Sequence, residues 1–287
     1  MLGALRELVP GADLLYLADA AHVPYGDRSP AELAELMFAC VRILERAGAT
    51  SLVMGCNTSC AVAADLGWPA TTLEIFDLIG AAADAVAALE PRTVGVIATV
   101  ATTRSGAYGR ALRARIPGVV VREVAAPELV PLVEAGRLDG ADVRAAVAEA
   151  CGALGAVDGV VLGCTHYPLL DARFAEALGP SVARIDPARA QARRVAGRVA
   201  ARDAAGSGTT RYLTTGALAP FRAAVERIVG LQPLARFASA DSLFASESDE
   251  SRFGRSDSNE SEQSKEDEHA ARAERGSGDD LQRRVLA

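Results

Sequence analysis

The run Val160-Val161-Leu162-Gly163-Cys164-Thr165-His166-Tyr167-Pro168-Leu169-Leu170 constrains this chain more than any other stretch. Apolar, β-prone residues lead up to Cys164, and Pro168 lacks the N–H that a continuing central strand needs, so a buried strand ends at the cysteine. The triplet Cys164-Thr165-His166 then begins a loop at a strand end, the place where parallel α/β sheets bind ligands. A second run, Leu52-Val53-Met54-Gly55-Cys56-Asn57-Thr58, repeats the pattern 108 residues earlier. Two strand-end thiols imply two matched halves.

The rest of the chain alternates in the same way. Leucines at 2, 5 and 8 have helical spacing and end at Pro10-Gly11, and residues 14–18 read as a buried strand. Ser29-Pro30-Ala31-Glu32 supplies an N-cap, a proline at the first helical position and a glutamate three residues on, starting a helix to about Ala47. Strands are expected at 50–55, 71–75, 93–98, 119–124, 182–185 and 211–215. Helices are expected at 61–66, 81–89, 142–154, 172–178, 188–204 and 220–229, with another running from the Thr99, Thr102, Thr103 and Ser105 cluster through Arg115. That cluster suits either an anion or a plain helix cap. Strand-helix repetition of this kind gives an α/β protein with mostly parallel sheets.

Composition removes several classes of function. The net charge of −7 sits largely in residues 239–287, which carry 13 acidic and 7 basic side chains. This acidic, serine-rich tail is expected to be disordered, and the nearly neutral body has no basic face for nucleic acid. The one lysine, Lys265, lies in that tail, which argues against Schiff-base catalysis. Five cysteines in apolar contexts with no secretory signal fit free thiols in a cytoplasm. No long apolar run calls for a membrane. Cys56 with Cys60, or Cys164 with His166, could in principle be metal ligands, but each pair lacks the matched second pair of a structural zinc site, and no metal is expected.

Two thiols facing one substrate from opposite sides suit proton exchange at a carbon. One removes a proton from a stereocentre and the other delivers one to the opposite face, so configuration inverts without a cofactor. At these residues the chain resembles the glutamate racemases of the cofactor-independent aspartate/glutamate racemase superfamily. Gly163 through Leu170 is similar to that family's second cysteine motif and Cys56-Asn57-Thr58 to its first. Asp19-Ala20-Ala21-His22-Val23-Pro24-Tyr25-Gly26 is similar to its substrate loop, Leu129-Val130-Pro131-Leu132-Val133-Glu134 to its glutamate segment, and Ser105-Gly106-Ala107-Tyr108 to a further shared stretch, all in family order over about residues 2–230.

The resemblance implies two pseudo-symmetric α/β domains with the active site at their interface, one made of 1–82 plus 188–238 and the other of 83–187. It implies Cys56 and Cys164 as the opposed acid and base, with His166 and Glu134 assisting Cys164. Pro24, Tyr25, Gly26, Asn57, Thr58, Thr99, Thr102 and Thr165 would hold the amino acid. The implied activity interconverts L- and D-glutamate for peptidoglycan in a bacterial cytoplasm, with homodimerisation as the family suggests. The family's opening strand, ending Asp-Ser-Gly-x-Gly-Gly, falls before Met1. The chain as written is therefore expected to be unstable or inactive, or to start downstream of its natural start. Glu74-Ile75-Phe76-Asp77 stands near the place of the family's Ile-Glu-Pro-Gly. The alternatives are a racemase or isomerase for aspartate, a hydantoin or maleate, and an inactive binding protein of the same fold.

Overall fold

The computed structural model describes residues 1–23, 25, 28–199, 207–230 and 235–241. In chain order these form α1 (Leu2–Leu8), β1 (Leu14–Ala18), α2 (Pro30–Arg46), β2 (Ser51–Val53), α3 (Asn57–Leu66), β3 (Glu74–Phe76) and α4 (Leu78–Ala87). Next come β4 (Thr93–Ala98), α5 (Val100–Ser105), α6 (Ala107–Arg115), β5 (Val120–Ala125), α7 (Leu129–Glu134), α8 (Ala141–Leu154) and β6 (Gly159–Gly163). A short 3-10 turn (Tyr167–Leu170) leads to α9 (Asp171–Leu178), β7 (Ala183–Ile185), α10 (Pro187–Val199), β8 (Thr210–Thr214), α11 (Leu218–Ile228) and β9 (Ala235–Ser239).

Every strand pair is parallel, as the alternating pattern requires. Four strands form one continuous sheet in the order β5-β4-β6-β7. All five residues of β6 are buried, which explains why its sequence is a continuous apolar run rather than an alternating one. Its register sets Ala98 opposite Gly163, so the chain leaves β4 at Thr99 and β6 at Cys164 side by side. Phe174, Tyr167, Leu129 and Leu154, all buried, close one face of this sheet.

The remaining strands are divided between two sheets, β1-β8-β9 and β2-β3. A cavity of about 850 Å³ runs between them, lined by the consecutive residues 13–17 and 49–56. A sheet face would offer only every second residue, so consecutive lining means that the cavity follows strand edges. Among the described residues neither of these edges has a ladder partner. Met37 and Val41 of α2 line the cavity, as do Leu2 and Leu5 of α1.

Local signals explain most element boundaries, and several depart from the sequence expectations. Ser29 accepts a hydrogen bond from the Glu32 N–H while the Glu32 carboxylate accepts from the Ser29 N–H, the reciprocal cap that starts α2. The helix after Cys56 starts at Asn57 rather than at 61, because Asn57 to Ser59 pack inward instead of forming a loop. The helix expected through Arg115 is two helices, broken where Gly106 takes φ 63°, a left-handed conformation that glycine adopts without strain. The strand expected at 71–75 is shorter and later, at Glu74–Phe76. β9 has no counterpart in the sequence reading, and its pairing with β8 carries ordered chain to Asp241, past the point where composition turns tail-like. Residues 242–287, the rest of the expected tail, lie outside the described residues.

Candidate active site

Strand ends assemble the site. Cys56 is the N-cap residue of α3, three residues beyond the end of β2, and is half-buried. Its carbonyl accepts the Cys60 N–H at 3.1 Å, while its side chain makes no capping bond, leaving the sulfur available for chemistry. Cys164 follows β6 directly and is 6% exposed.

A relay stands behind Cys164. His166 Nδ1 lies 3.6 Å from the sulfur, and Nε2 lies 2.6 Å from Oε1 of Glu134 on α7. Burial works against charge on this imidazole. The hydrogen bonds to Cys164 and Glu134, with their negative charge, outweigh it and push the His166 pKa up to about 10. The protonated ring has one N–H to offer the sulfur and one to offer the carboxylate. Tyr167 donates to the Ala126 carbonyl at 2.8 Å, tying the turn after His166 to the entrance of α7.

The two residues after Cys56 join a cluster of hydroxyl and amide groups. Thr99 caps α5 by accepting from the Thr102 N–H, so the hydroxyl-rich helix start has a structural use of its own. Its hydroxyl donates to that of Thr102 at 3.0 Å, and Thr58 approaches both at 3.3 and 3.4 Å. Asn57, 3% exposed, accepts through Oδ1 from the Tyr108 hydroxyl at 2.6 Å. Its Nδ2 is buried without a partner among the described residues. Cys56, Thr165 and His166 all line the cavity, so residues of both strand-end motifs border it.

The sequence reading missed a hub at the cavity's rim. Asp19, 8% exposed, accepts from His22 Nδ1, the Tyr25 hydroxyl and the Thr215 hydroxyl, each at 2.7 Å. Tyr25 thus joins the site through its ring, and burial followed by the Asp19 bond holds its hydroxyl protonated. Asp19 lies within the loop motif, but nothing local signals Thr215, 196 residues away. Pro24 and Gly26 lie outside the described residues.

The other thiols are different. Burial pushes Cys40 up to about 12 and Cys151 up to about 11, and it raises Cys60 further, so these three stay protonated and act as packing. Among the described residues no group of three or more His, Cys, Asp or Glu side chains could hold a metal ion. Nor is any described helix long and apolar enough to cross a membrane.

Parallel α/β layers thus carry one thiol directly after β6 and another three residues past β2. The chain belongs to the Asp/Glu/Hydantoin racemase family, which residues 1–195 match. It is 42% identical over 192 residues to the glutamate racemase of Gloeobacter violaceus, covering 65% of this chain and 72% of that one. A glutamate racemase isoform from Bacillus anthracis superposes with a TM-score of 0.76 at 29% identity, covering 83% of this chain and 91% of that one. The glutamate racemase of Francisella tularensis in complex with D-glutamate superposes at 0.75 with 26% identity, over 84% and 93% of the two chains.

Proposed function

We propose that this protein interconverts L- and D-glutamate by proton transfer between two thiols, Cys56 and Cys164. The observation that supports the reading is the pair of thiols at parallel strand ends, with Cys56 and the two polar residues that follow closest on Cys164, Thr165 and His166, all lining one cavity. One sulfur, as thiolate, takes the α-proton and becomes a thiol. The other, a thiol, gives its proton to the opposite face of the carbanion and becomes the thiolate. No atom is gained or lost, and the electron pair stays on carbon, so no cofactor is needed. The reverse reaction exchanges the roles.

Glu134 and His166 serve the Cys164 side, where the imidazolium places an N–H and a positive charge against sulfur. Pro24, Tyr25, Gly26, Asn57, Thr58, Thr99, Thr102 and Thr165 supply hydrogen bonds for the substrate's carboxylates and ammonium. Residues 1–82 with 188–238 form one domain and 83–187 the other, with the substrate between them. The reading extends to a homodimer in a bacterial cytoplasm, supplying D-glutamate for peptidoglycan. It assigns no role in nucleic-acid binding.

Proton exchange into either enantiomer in D₂O is the test. Wild-type protein is expected to wash deuterium into the α-position of both L- and D-glutamate, and Cys56→Ser and Cys164→Ser each to lose racemisation by at least about 10³-fold. Undiminished racemisation in either serine variant would sink the two-thiol mechanism.

A further inference from the structure

Tyr108 touches both thiol-bearing segments without being part of either. It is fully buried in the first turn of α6, just after the left-handed Gly106 that redirects the chain. Its hydroxyl donates at 2.6 Å to Oδ1 of Asn57, the residue that follows Cys56. The edge of its ring lies against Gly163, the residue that precedes Cys164. A Cβ built on Gly163 would sit 3.2 Å from Tyr108 Cε2, 3.0 Å from Ala98 Cβ and 3.1 Å from the Ile97 carbonyl oxygen. These contacts leave no room for a side chain at 163, so strand and ring meet directly.

The bond to Asn57 also decides which way its amide points. A buried phenol is held neutral, here chiefly by desolvation, so it keeps a proton to donate. Donation to Oδ1 fixes the carbonyl end of the amide on Tyr108 and leaves Nδ2 as the free end. That Nδ2 is buried and unpartnered among the described residues, an arrangement that costs stability unless a ligand completes it.

We propose that Tyr108 is the positioning residue that sets the register between the Cys56 and Cys164 segments and orients the Asn57 amide so that its N–H₂ meets a substrate carboxylate. The inference rests on the two-thiol reading above. Tyr108 itself touches no reacting atom, so its effect passes through Asn57 and Gly163. The ring supplies the spacing and the hydroxyl supplies the orientation, and the two roles separate experimentally.

Tyr108→Phe keeps the ring and removes the hydroxyl. For glutamate of either configuration KM is expected to rise about tenfold, the loss of one well-placed neutral hydrogen bond, with kcat changed less than about threefold. Asn57→Ala should raise KM similarly, and the double variant should be no worse than Asn57→Ala alone, because the hydroxyl acts only through that amide. A purely structural tyrosine would instead give additive losses. Asn57→Asp supplies a second arm that does not depend on how Tyr108→Phe folds. It retains the acceptor for Tyr108 and replaces only the free N–H₂ by oxygen, and is expected to raise KM at least about tenfold. Wild-type KM in Tyr108→Phe, additivity in the double variant, or wild-type KM in Asn57→Asp would each overturn the proposal. If the serine variants of both thiols are inactive while Tyr108→Phe is indistinguishable from wild type, this inference fails and the two-thiol reading stands. Active serine variants defeat that reading itself.

Discussion

The two halves of this molecule hold their thiols in unlike ways. Cys164 leaves the end of a strand that is bonded on both sides within a continuous four-stranded sheet, and His166 and Glu134 form a relay behind it. Cys56 follows β2, which is bonded on one side only among the described residues, and its neighbours are hydroxyls and an amide rather than an ion pair. Matched positions in a repeated architecture therefore need not have matched support. On the two-thiol reading, the two proton-transfer steps should respond differently to substitution.

The sharpest way to break this comparison is His166→Asn. Removing the ring is expected to lower kcat by about 10²- to 10³-fold, with the Cys164 step becoming rate-limiting in both directions. Solvent and substrate isotope effects in each direction would check this, and equal effects on the two half-reactions would erase the asymmetry.

Packing offers a second comparison. Phe174, fully buried beside the continuous sheet, should cost about 3–5 kcal/mol as Phe174→Ala, through lost transfer energy and a new void. Met37 already borders the 850 Å³ cavity, so Met37→Ala deletes fewer contacts and should cost about 2 kcal/mol. Urea denaturation of the two variants measures the difference, and a larger loss for Met37→Ala would reverse the ranking of the halves.

The relay gives stability a pH dependence of defined sign. The folded-state pKa of His166 is raised from 6.5 to about 10, so its protonated form is favoured by folding. That contribution is present in full below about pH 6.5 and is lost as pH rises through about 10. Glu134→Gln removes one source of the shift, so the stability difference between wild type and this variant should shrink between those limits. Thermal melts at pH 6 and pH 10.5 test the sign, and a difference that widens at high pH would contradict it. The smallest effect is expected at the start of α2, where Ser29→Ala removes one arm of an exposed cap and should cost about 1 kcal/mol. The catalytic comparison should be untouched by that change.

Local chemistry explains what could be read from the chain and what could not. The Ser29 and Glu32 cap, the apolar run of β6 and the Cys-Thr-His triplet each carry their meaning within a few residues, and each appears where expected. β9 was missed because Ala235–Ser239 is an unremarkable sequence that becomes a strand only by adding to the edge of β8. The break at Gly106 hides among good helix formers on both sides. Within the site, Cys56, Cys164, His166 and Glu134 were nameable from motifs, but the hydroxyl bond from Tyr108 to Asn57 spans 51 positions and that from Thr215 to Asp19 spans 196. No local pattern encodes such pairs, since they exist only once the sheets have brought the ends of distant strands together.

The cavity-facing edges of β1 and β2, which have no ladder partner among the described residues, bear on time scale as well as shape. A backbone N–H held in a ladder exchanges its hydrogen only when the ladder opens, whereas one facing an open edge needs no such event. Hydrogen exchange is therefore expected to be faster at the β2 amides that face the cavity than at the amides of β6, which is laddered on both sides.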